Sequence, residues 1–157
     1  MQRTQRTRSK LYLITQLRLR EINFMNWTRF ILAVVASGVA ASFADWLFMG
    51  VLFHDKYLLT PEMWRGKPGQ TEAKTMMFST LFGLLSCAVF AYLCIFATDL
   101  AFKNTLKLAI IVWLLGPLPV IFINVIWTRL HPQLGLSHSL GWLARFVVTA
   151  AIVAWLL

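Results

Sequence analysis

Four long apolar runs constrain this sequence more than any other feature. They cover about residues 30–53, 76–98, 106–128 and 139–157. Each is roughly 19 to 24 residues long, and a helix of that length crosses about 30 Å of hydrocarbon. Short stretches that hold most of the charged residues separate the runs, as in a chain that crosses a bilayer and returns. The sequence therefore predicts an all-α integral membrane four-helix bundle.

The composition excludes an ordinary soluble domain. Of the 157 residues, 59% are hydrophobic and 13% are charged, and the mean hydropathy is +0.67. Soluble domains are about half apolar and about a quarter charged. The whole of residues 26–157 is therefore predicted to be a single four-span membrane domain.

The basic charge is concentrated before the first apolar run. The formal net charge is +9, and seven of the fifteen Lys and Arg residues lie between Arg3 and Arg29. A basic flank beside a span sets topology or contacts anionic headgroups, so the predicted partner is the lipid bilayer and not nucleic acid. Residues 1–25 are predicted to be either an interfacial segment or a disordered extension.

The distribution of basic residues also predicts the orientation. Nine Lys and Arg residues fall on the amino-terminal flank and second loop, against four in the first loop and one in the third. The positive-inside rule then places both termini in the cytoplasm, and we expect the membrane to be a bacterial inner membrane. Trp27 and Trp155 would mark one interface, and Trp127 and Trp142 the other.

The first apolar run carries small residues at four-residue spacing. They are Ala33, Ser37 and Ala41 on one line, Ala36, Ala40 and Ala44 on another, and Gly38 with Ser42 on a third. Small side chains let helix backbones approach closely in lipid. This pattern predicts that the first span lies at the centre of the bundle.

Three polar residues inside the spans are the main candidates for a site. Asp45, Arg145 and Asn124 all fall toward the end of the bundle that lies beneath the first and third loops, because neighbouring spans run antiparallel. A charged residue in a span is costly unless it is paired or faces water. One interpretation is a small pocket or a proton-linked path; the other is an Asp45–Arg145 ion pair that fixes helix register, with hydrogen bonds to Asn124.

Five further polar residues are candidates for the mouth of a cavity above that cluster. They are His54, Asp55, Arg129, His131 and His138. No two of the histidines have the spacing of a helical metal-binding motif, so no metal site is predicted. No nucleophile motif or phosphate-binding loop is recognised either, and neither a catalytic residue nor a cofactor is predicted.

The third apolar run has a helix-breaking sequence at its middle. Gly116, Pro117 and Pro119 should interrupt the hydrogen bonding of a helix there. The break is interpreted either as a permanent kink that shapes the bundle or as a hinge or binding site.

Two stretches carry a resemblance to a known family. WLLGPLPVIFINVIW in the third run, followed by GWLARFVVTAAIVAWLL, resembles the carboxy-terminal half of small bacterial four-helix membrane proteins of the domain of unknown function 1761. The segment DWLFMGVLFHDKYLLTPEMW resembles the first span and the loop after it. The resemblance implies a four-helix membrane fold and no activity.

The function predicted from the sequence is non-catalytic. The leading interpretation is an accessory or structural subunit, or a protein that binds a small ligand or a lipid. A compact transporter or channel that uses Asp45 is the alternative, and a membrane enzyme acting on a lipid is the least favoured. The predicted partners are the bilayer and either further copies of the chain or a larger membrane protein complex.

Overall fold

A computed structural model describes residues 26–58 and 72–157, and the predicted segment 1–25 lies outside them. The described residues are helical apart from short turns, with no strand among them. The helices are α1 (Trp27–Asp45) and its π-helical continuation Trp46–Leu52, α2 (His54–Leu58), α3 (Glu72–Ala97), α4 (Phe102–Leu115), α5 (Pro117–Trp127) and α6 (Pro132–Leu156).

Within residues 26–58 and 72–157, four stretches of helix are long and apolar enough to cross a membrane. They are span 1 (Trp27–Leu52), span 2 (Lys74–Ala97), span 3 (Phe102–Trp127) and span 4 (Pro132–Leu156). The all-α, four-helix membrane architecture predicted from the sequence is thereby confirmed.

Span 4 begins well before the residue that hydropathy suggests. Its helix starts at Pro132 and not near residue 139, because proline is well suited to the first turn of a helix. His131 caps this end: its Nδ1 accepts a hydrogen bond from the backbone N–H of Gln133 at 3.2 Å. His138 consequently lies within the membrane-spanning helix and not in the third loop.

A tight turn joins spans 2 and 3. Oδ1 of Asp99 accepts from the backbone N–H of Ala101 at 3.1 Å and from the side chain of Asn104 at 2.9 Å. Leu100 has a φ of 62°, the left-handed region that side chains rarely adopt. Its N–H is held by the hydroxyl of Thr98 at 3.0 Å. The turn therefore replaces the missing helical bonds with side-chain ones.

Span 3 is interrupted where the sequence predicts a break. α4 ends at Leu115, Gly116 has φ −115° and ψ −84°, and α5 starts at Pro117. Pro117 and Pro119 have no N–H to donate to the carbonyls four residues before them. The sequence thus accounts for the position of the break.

Span 4, and not span 1, is central to the bundle. α6 packs against α1, α3, α4 and α5, whereas α1 packs mainly against α6 and α3. The prediction of a central first span was therefore wrong, although its small residues do pack closely. Ala33, Ser37, Gly38 and Ala41 are buried against neighbouring helices.

The apolar core and the residues Asp45 and Arg145 occupy different halves of the bundle. The core lies toward the turn between spans 2 and 3 and consists of Phe90, Ala91, Cys94, Ala109, Phe146, Ala150 and Val153. The rings of Phe90 and Phe146 are 5.0 Å apart. Large apolar side chains cover the outside of every span, as lipid contact requires. The opposite half of the bundle holds Asp45 and Arg145, which are bonded to each other.

Candidate functional site

A partly buried ion pair joins the first and last spans. The guanidinium of Arg145 in span 4 donates to Oδ2 of Asp45 in span 1, across 100 positions of sequence. The side chain of Arg145 is 11% exposed and that of Asp45 is 25% exposed. Asp45 lies seven residues before the end of span 1, or about 10 Å below that surface. Pairing is what makes two charges tolerable at this depth.

Two more residues hold the guanidinium in place. Nη1 of Arg145 donates to the hydroxyl of Ser86 in span 2 at 3.2 Å. The guanidinium carbon lies 4.8 Å from the ring centre of Trp142, which is close enough for a cation–π contact. The ring of Trp142 therefore packs against Arg145 inside the bundle. The prediction that Trp142 marks a membrane interface was wrong. Arg145 links spans 1, 2 and 4.

Two glycines make room for the pair. A Cβ atom on Gly141 of span 4 would lie 2.9 Å from Oδ1 of Asp45, and one on Gly83 of span 2 would lie 3.0 Å from Nη1 of Arg145. These distances are shorter than normal van der Waals contacts. The charged groups therefore lie close against helix backbone, and a Cβ atom at either position would require the carboxylate or the guanidinium to shift.

Asp45 occupies the junction between two kinds of helix. It ends the α-helical part of span 1, and the π-helix Trp46–Leu52 follows at once. The wider turn of a π-helix shifts the side chains beyond it relative to an α-helix, and such segments occur often at functional sites. The indole of Trp46 covers Gly50, where an added Cβ would lie 3.1 Å from the ring.

A second polar group lies between the ion pair and the first loop. The Tyr57 hydroxyl donates to the hydroxyl of Ser137 at 3.4 Å and lies 3.2 Å from Nε2 of His138. Burial raises the pKa of Tyr57 above its ordinary value, the hydrogen bond that Tyr57 shares with Ser137 lowers it, and the charge of Asp45 raises it. Asp45 is therefore close enough to Tyr57 for its charge to be felt there.

The polar residues of span 4 form a stripe that connects these groups. Ser137, Gly141, Arg145 and Thr149 recur every fourth residue and so share one face of the helix. Thr149 donates to the backbone carbonyl of Arg145 at 2.8 Å. We give the name Asp45 cluster to the polar and charged residues gathered around this stripe. Its members are Asp45, Arg145, Ser86, Tyr57, Ser137 and His138.

The Asp45 cluster has hydrogen-bonding capacity that the described residues do not use. No donor among them reaches Oδ1 of Asp45, and Nε of Arg145 is buried without an acceptor. The hydroxyl of Ser139, on the same helix, is also buried without a partner. Buried polar groups in proteins are nearly always bonded to protein or to another molecule.

Asn124 is not part of this cluster. Its side chain is exposed on the outside of span 3, and its backbone carbonyl accepts from the backbone and hydroxyl of Thr128 at 2.9 and 2.6 Å. The expected hydrogen bond from Asn124 to the ion pair is therefore absent. Ile121 and Val125 of α5 lie against Gly135 of span 4, whereas Asn124 lies on another face of the helix.

The five residues predicted at a cavity mouth differ in their surroundings. His138 lies at Tyr57, whereas His54, Asp55, Arg129 and His131 are exposed. No three His, Cys, Asp or Glu residues in the described part of the chain come close enough to hold a metal ion.

Sequence reasoning missed Ser86, Tyr57 and Ser137. Tyr57 lies outside the apolar runs, and serines inside membrane helices are common enough to be overlooked. One signal was available, since Ser137, Gly141 and Arg145 already repeat at four-residue spacing in the sequence.

The fold and the cluster define the class: an integral membrane protein of four helices with an ion pair inside the bundle. A family model described as Protein of unknown function (DUF1761) matches residues 32–154. The chain therefore belongs to this family, as the sequence resemblance predicted. Neither a protein of curated function nor a solved structure matches the chain significantly.

Proposed function

We propose that this protein is a non-catalytic membrane protein that binds a small polar ligand or a lipid headgroup at the Asp45 cluster. One observation carries the proposal: a paired charge inside the membrane still has an open acceptor, Oδ1 of Asp45, and a buried, unpartnered donor, Nε of Arg145. In hydrocarbon, water is not freely available to fill such positions. A bound molecule that donates to Oδ1 of Asp45 fills the accessible one of these two positions.

The same geometry indicates which hydrogen-bonding group the ligand carries. It needs a donor for the carboxylate of Asp45, which a hydroxyl or amide group supplies. The quarter of the Asp45 side chain that is exposed gives such a group access. Tyr57 and His138 lie on the side of the first loop and provide further polar contacts there.

The non-catalytic assignment rests on how the charged groups are engaged. Arg145 is bonded to Asp45 and Ser86 and stacked on Trp142. An acid–base catalyst must be able to reach and exchange a proton with its substrate. A fixed, paired guanidinium is suited to holding a ligand.

The orientation and the membrane are part of the proposal. Basic residues favour both termini in the cytoplasm, as nine Lys and Arg residues lie on that side. The Asp45 cluster then belongs to the outer half of the bundle. The resemblance to small bacterial membrane proteins supports the inner membrane of a bacterium.

The experiment compares what stays bound to three forms of the full chain. Wild type, the neutral double variant Asp45→Asn with Arg145→Gln, and Ser42→Ala are extracted in native lipid discs, and bound molecules are identified by mass spectrometry. Ser42 is a matched control because its hydroxyl bonds only the carbonyl of Gly38 in its own helix, at 2.8 Å.

We expect one polar molecule or lipid class to be enriched over the bulk membrane in wild type and Ser42→Ala, and lost in the double variant. Circular dichroism and thermal unfolding check that the double variant remains folded. An identical set of bound molecules in all three folded forms would overturn the proposal.

A compact transporter is the second candidate, and the polar stripe of span 4 favours it. Ser137, Gly141, Arg145 and Thr149 extend polar character from the first-loop side past the middle of the span. Flux measured in proteoliposomes separates the two functions. A transporter moves its solute in wild type and not in the double variant, whereas a binding protein retains ligand without net flux.

A further inference from the structure

Asn124 is a polar side chain on a surface that otherwise suits lipid. α5 runs PLPVIFINVIW, and Asn124 is the one polar residue in it. Its side chain is exposed and makes no hydrogen bond within the described part of the chain. Its neighbours on the same flank are Val120 and Ile123, 57% and 53% exposed, and Trp127, 83% exposed. We call these four residues the Asn124 face.

Leaving the amide in lipid is unfavourable, and span 3 gives it no partner. Only 6% of the most apolar stretch of span 3 is buried in the bundle, against 39% in span 4. A carboxamide in hydrocarbon costs free energy unless its N–H and C=O are bonded. Asparagine in membrane helices commonly meets this requirement by bonding across to another helix.

We infer that the Asn124 face is a self-association surface, and that its partner is the Asn124 face of a second copy of this chain. The chemistry of the amide selects this partner, because a carboxamide is both donor and acceptor and so complements itself. Two copies related by a twofold axis bring Asn124 opposite Asn124, with two N–H···O=C bonds. The neighbouring Val120, Ile123 and Trp127 then pack around the bonded pair.

The association does not depend on ligand binding. Asn124 and the Asp45 cluster lie on different faces of the molecule, and none of the cluster's hydrogen bonds reaches span 3. The double variant Asp45→Asn with Arg145→Gln should therefore dimerise like wild type as long as it folds. Failure of one proposal leaves the other intact.

The first test measures association in liposomes. The full-length chain carries donor and acceptor dyes at Lys103→Cys, and energy transfer between copies is followed over a range of protein-to-lipid ratios. The native Cys87 and Cys94 are fully buried and should label little. We expect Asn124→Leu to dimerise about tenfold more weakly, since hydrogen bonds between membrane helices are worth on the order of that factor.

Two variants serve as controls for that loss. Asn124→Gln keeps the amide and should retain dimerisation, and Ser42→Ala on span 1 should not change it. Asn124→Leu places an apolar side chain on a lipid-facing position, so its fold should be preserved. Dimerisation of Asn124→Leu as tight as that of wild type would overturn the inference.

The second test locates the surface by cross-linking. Ile123→Cys should form a disulfide between copies under oxidising conditions, whereas Phe82→Cys, on the exposed side of span 2, should not. A wild-type protein that is monomeric at every lipid ratio would refute the inference. The inference would also be refuted if the amide of Asn124 bonds lipid headgroups. It would be refuted as well if a different protein covers the Asn124 face and no energy transfer between copies occurs.

Discussion

At the scale of single residues, Asp45 and Arg145 determine the character of the bundle. Each is costly in lipid alone, and together they connect spans 1, 2 and 4 through one set of hydrogen bonds. Removing one partner of a buried pair is more damaging than replacing both, because a lone charge remains. This asymmetry makes the pair testable.

We expect Asp45→Asn to lower the free energy of unfolding by about 3 kcal/mol, since it leaves the guanidinium of Arg145 uncompensated. Arg145→Gln should cost less, because a carboxyl group can take up a proton and become neutral whereas a guanidinium stays charged. The double variant should be less destabilised than the sum of the singles. Chemical unfolding in detergent measures all three, and additive effects would contradict a direct pair.

A second prediction concerns Gly141, whose backbone lies against Asp45. Gly141→Ala should destabilise the protein by about 1 kcal/mol, as the new methyl group would collide with Oδ1 of Asp45. In an Asp45→Ala background the obstruction is gone, so the same change should stabilise the helix by about 1 kcal/mol. The measurement is the unfolding free energy of the four forms. A Gly141→Ala effect of the same sign in both backgrounds would rule out this contact.

At the scale of elements, the turn between spans 2 and 3 depends on Asp99. The side-chain bond from Asn104 and the backbone bond from Ala101 lower the pKa of Asp99 below its ordinary value of 3.8. A carboxyl group with a lowered pKa stabilises the folded state fully above its unfolded pKa. That contribution is lost as pH falls through the folded pKa.

We therefore expect the midpoint of thermal unfolding to fall on acidification below about pH 3.8 partly because of Asp99. Asp99→Asn should be less stable than wild type near neutral pH and should show a shallower acid dependence. Asn104→Ala should show a reduced dependence, since it removes the side-chain donor and keeps the backbone one. Identical acid slopes in wild type and Asp99→Asn would show that the turn does not use this charge.

The π-helix Trp46–Leu52 is the other element that matters for the site. It starts directly after Asp45 and ends where Phe53 donates to the carbonyl of Phe48 at 3.0 Å. Its geometry leads the chain into α2, which carries Tyr57 to Ser137. The path of the backbone after Asp45 therefore determines which residues join the cluster.

At the scale of the whole molecule, the two ends of the bundle have different interiors. Its apolar core lies near the turn between spans 2 and 3, and the Asp45 cluster lies toward the first and third loops. Span 4 connects the two halves, because it contributes Phe146 and Val153 to one and Arg145 to the other. The proposed orientation assigns each half to one side of the membrane.

Cysteine labelling in intact cells tests that orientation. With a maleimide that does not cross membranes, we expect Arg129→Cys in the third loop to react in intact cells, and Lys103→Cys to react only after permeabilisation. Both positions are exposed, so accessibility differs only by side. Because Cys87 and Cys94 are buried, wild type provides the background. The reverse pattern would place both termini outside.

The sequence by itself determined the local features of this protein. Apolar length identifies four spans because crossing hydrocarbon requires about 20 apolar residues wherever the chain does so. Gly116 and Pro117 identify the break in span 3, since a missing N–H acts within one turn. The free-energy cost of placing Asp45 and Arg145 in lipid also follows directly from their positions in the apolar runs.

Only the tertiary structure decided which side chains meet. Asn124 and Arg145 are both polar and lie on the same side of the bundle, yet one faces outward and the other bonds Asp45. That outcome depends on how each helix is rotated about its axis, and the rotation is set by packing between spans distant in sequence. Hydropathy gives the depth of a residue in the membrane; the neighbours of its helix decide which way it faces.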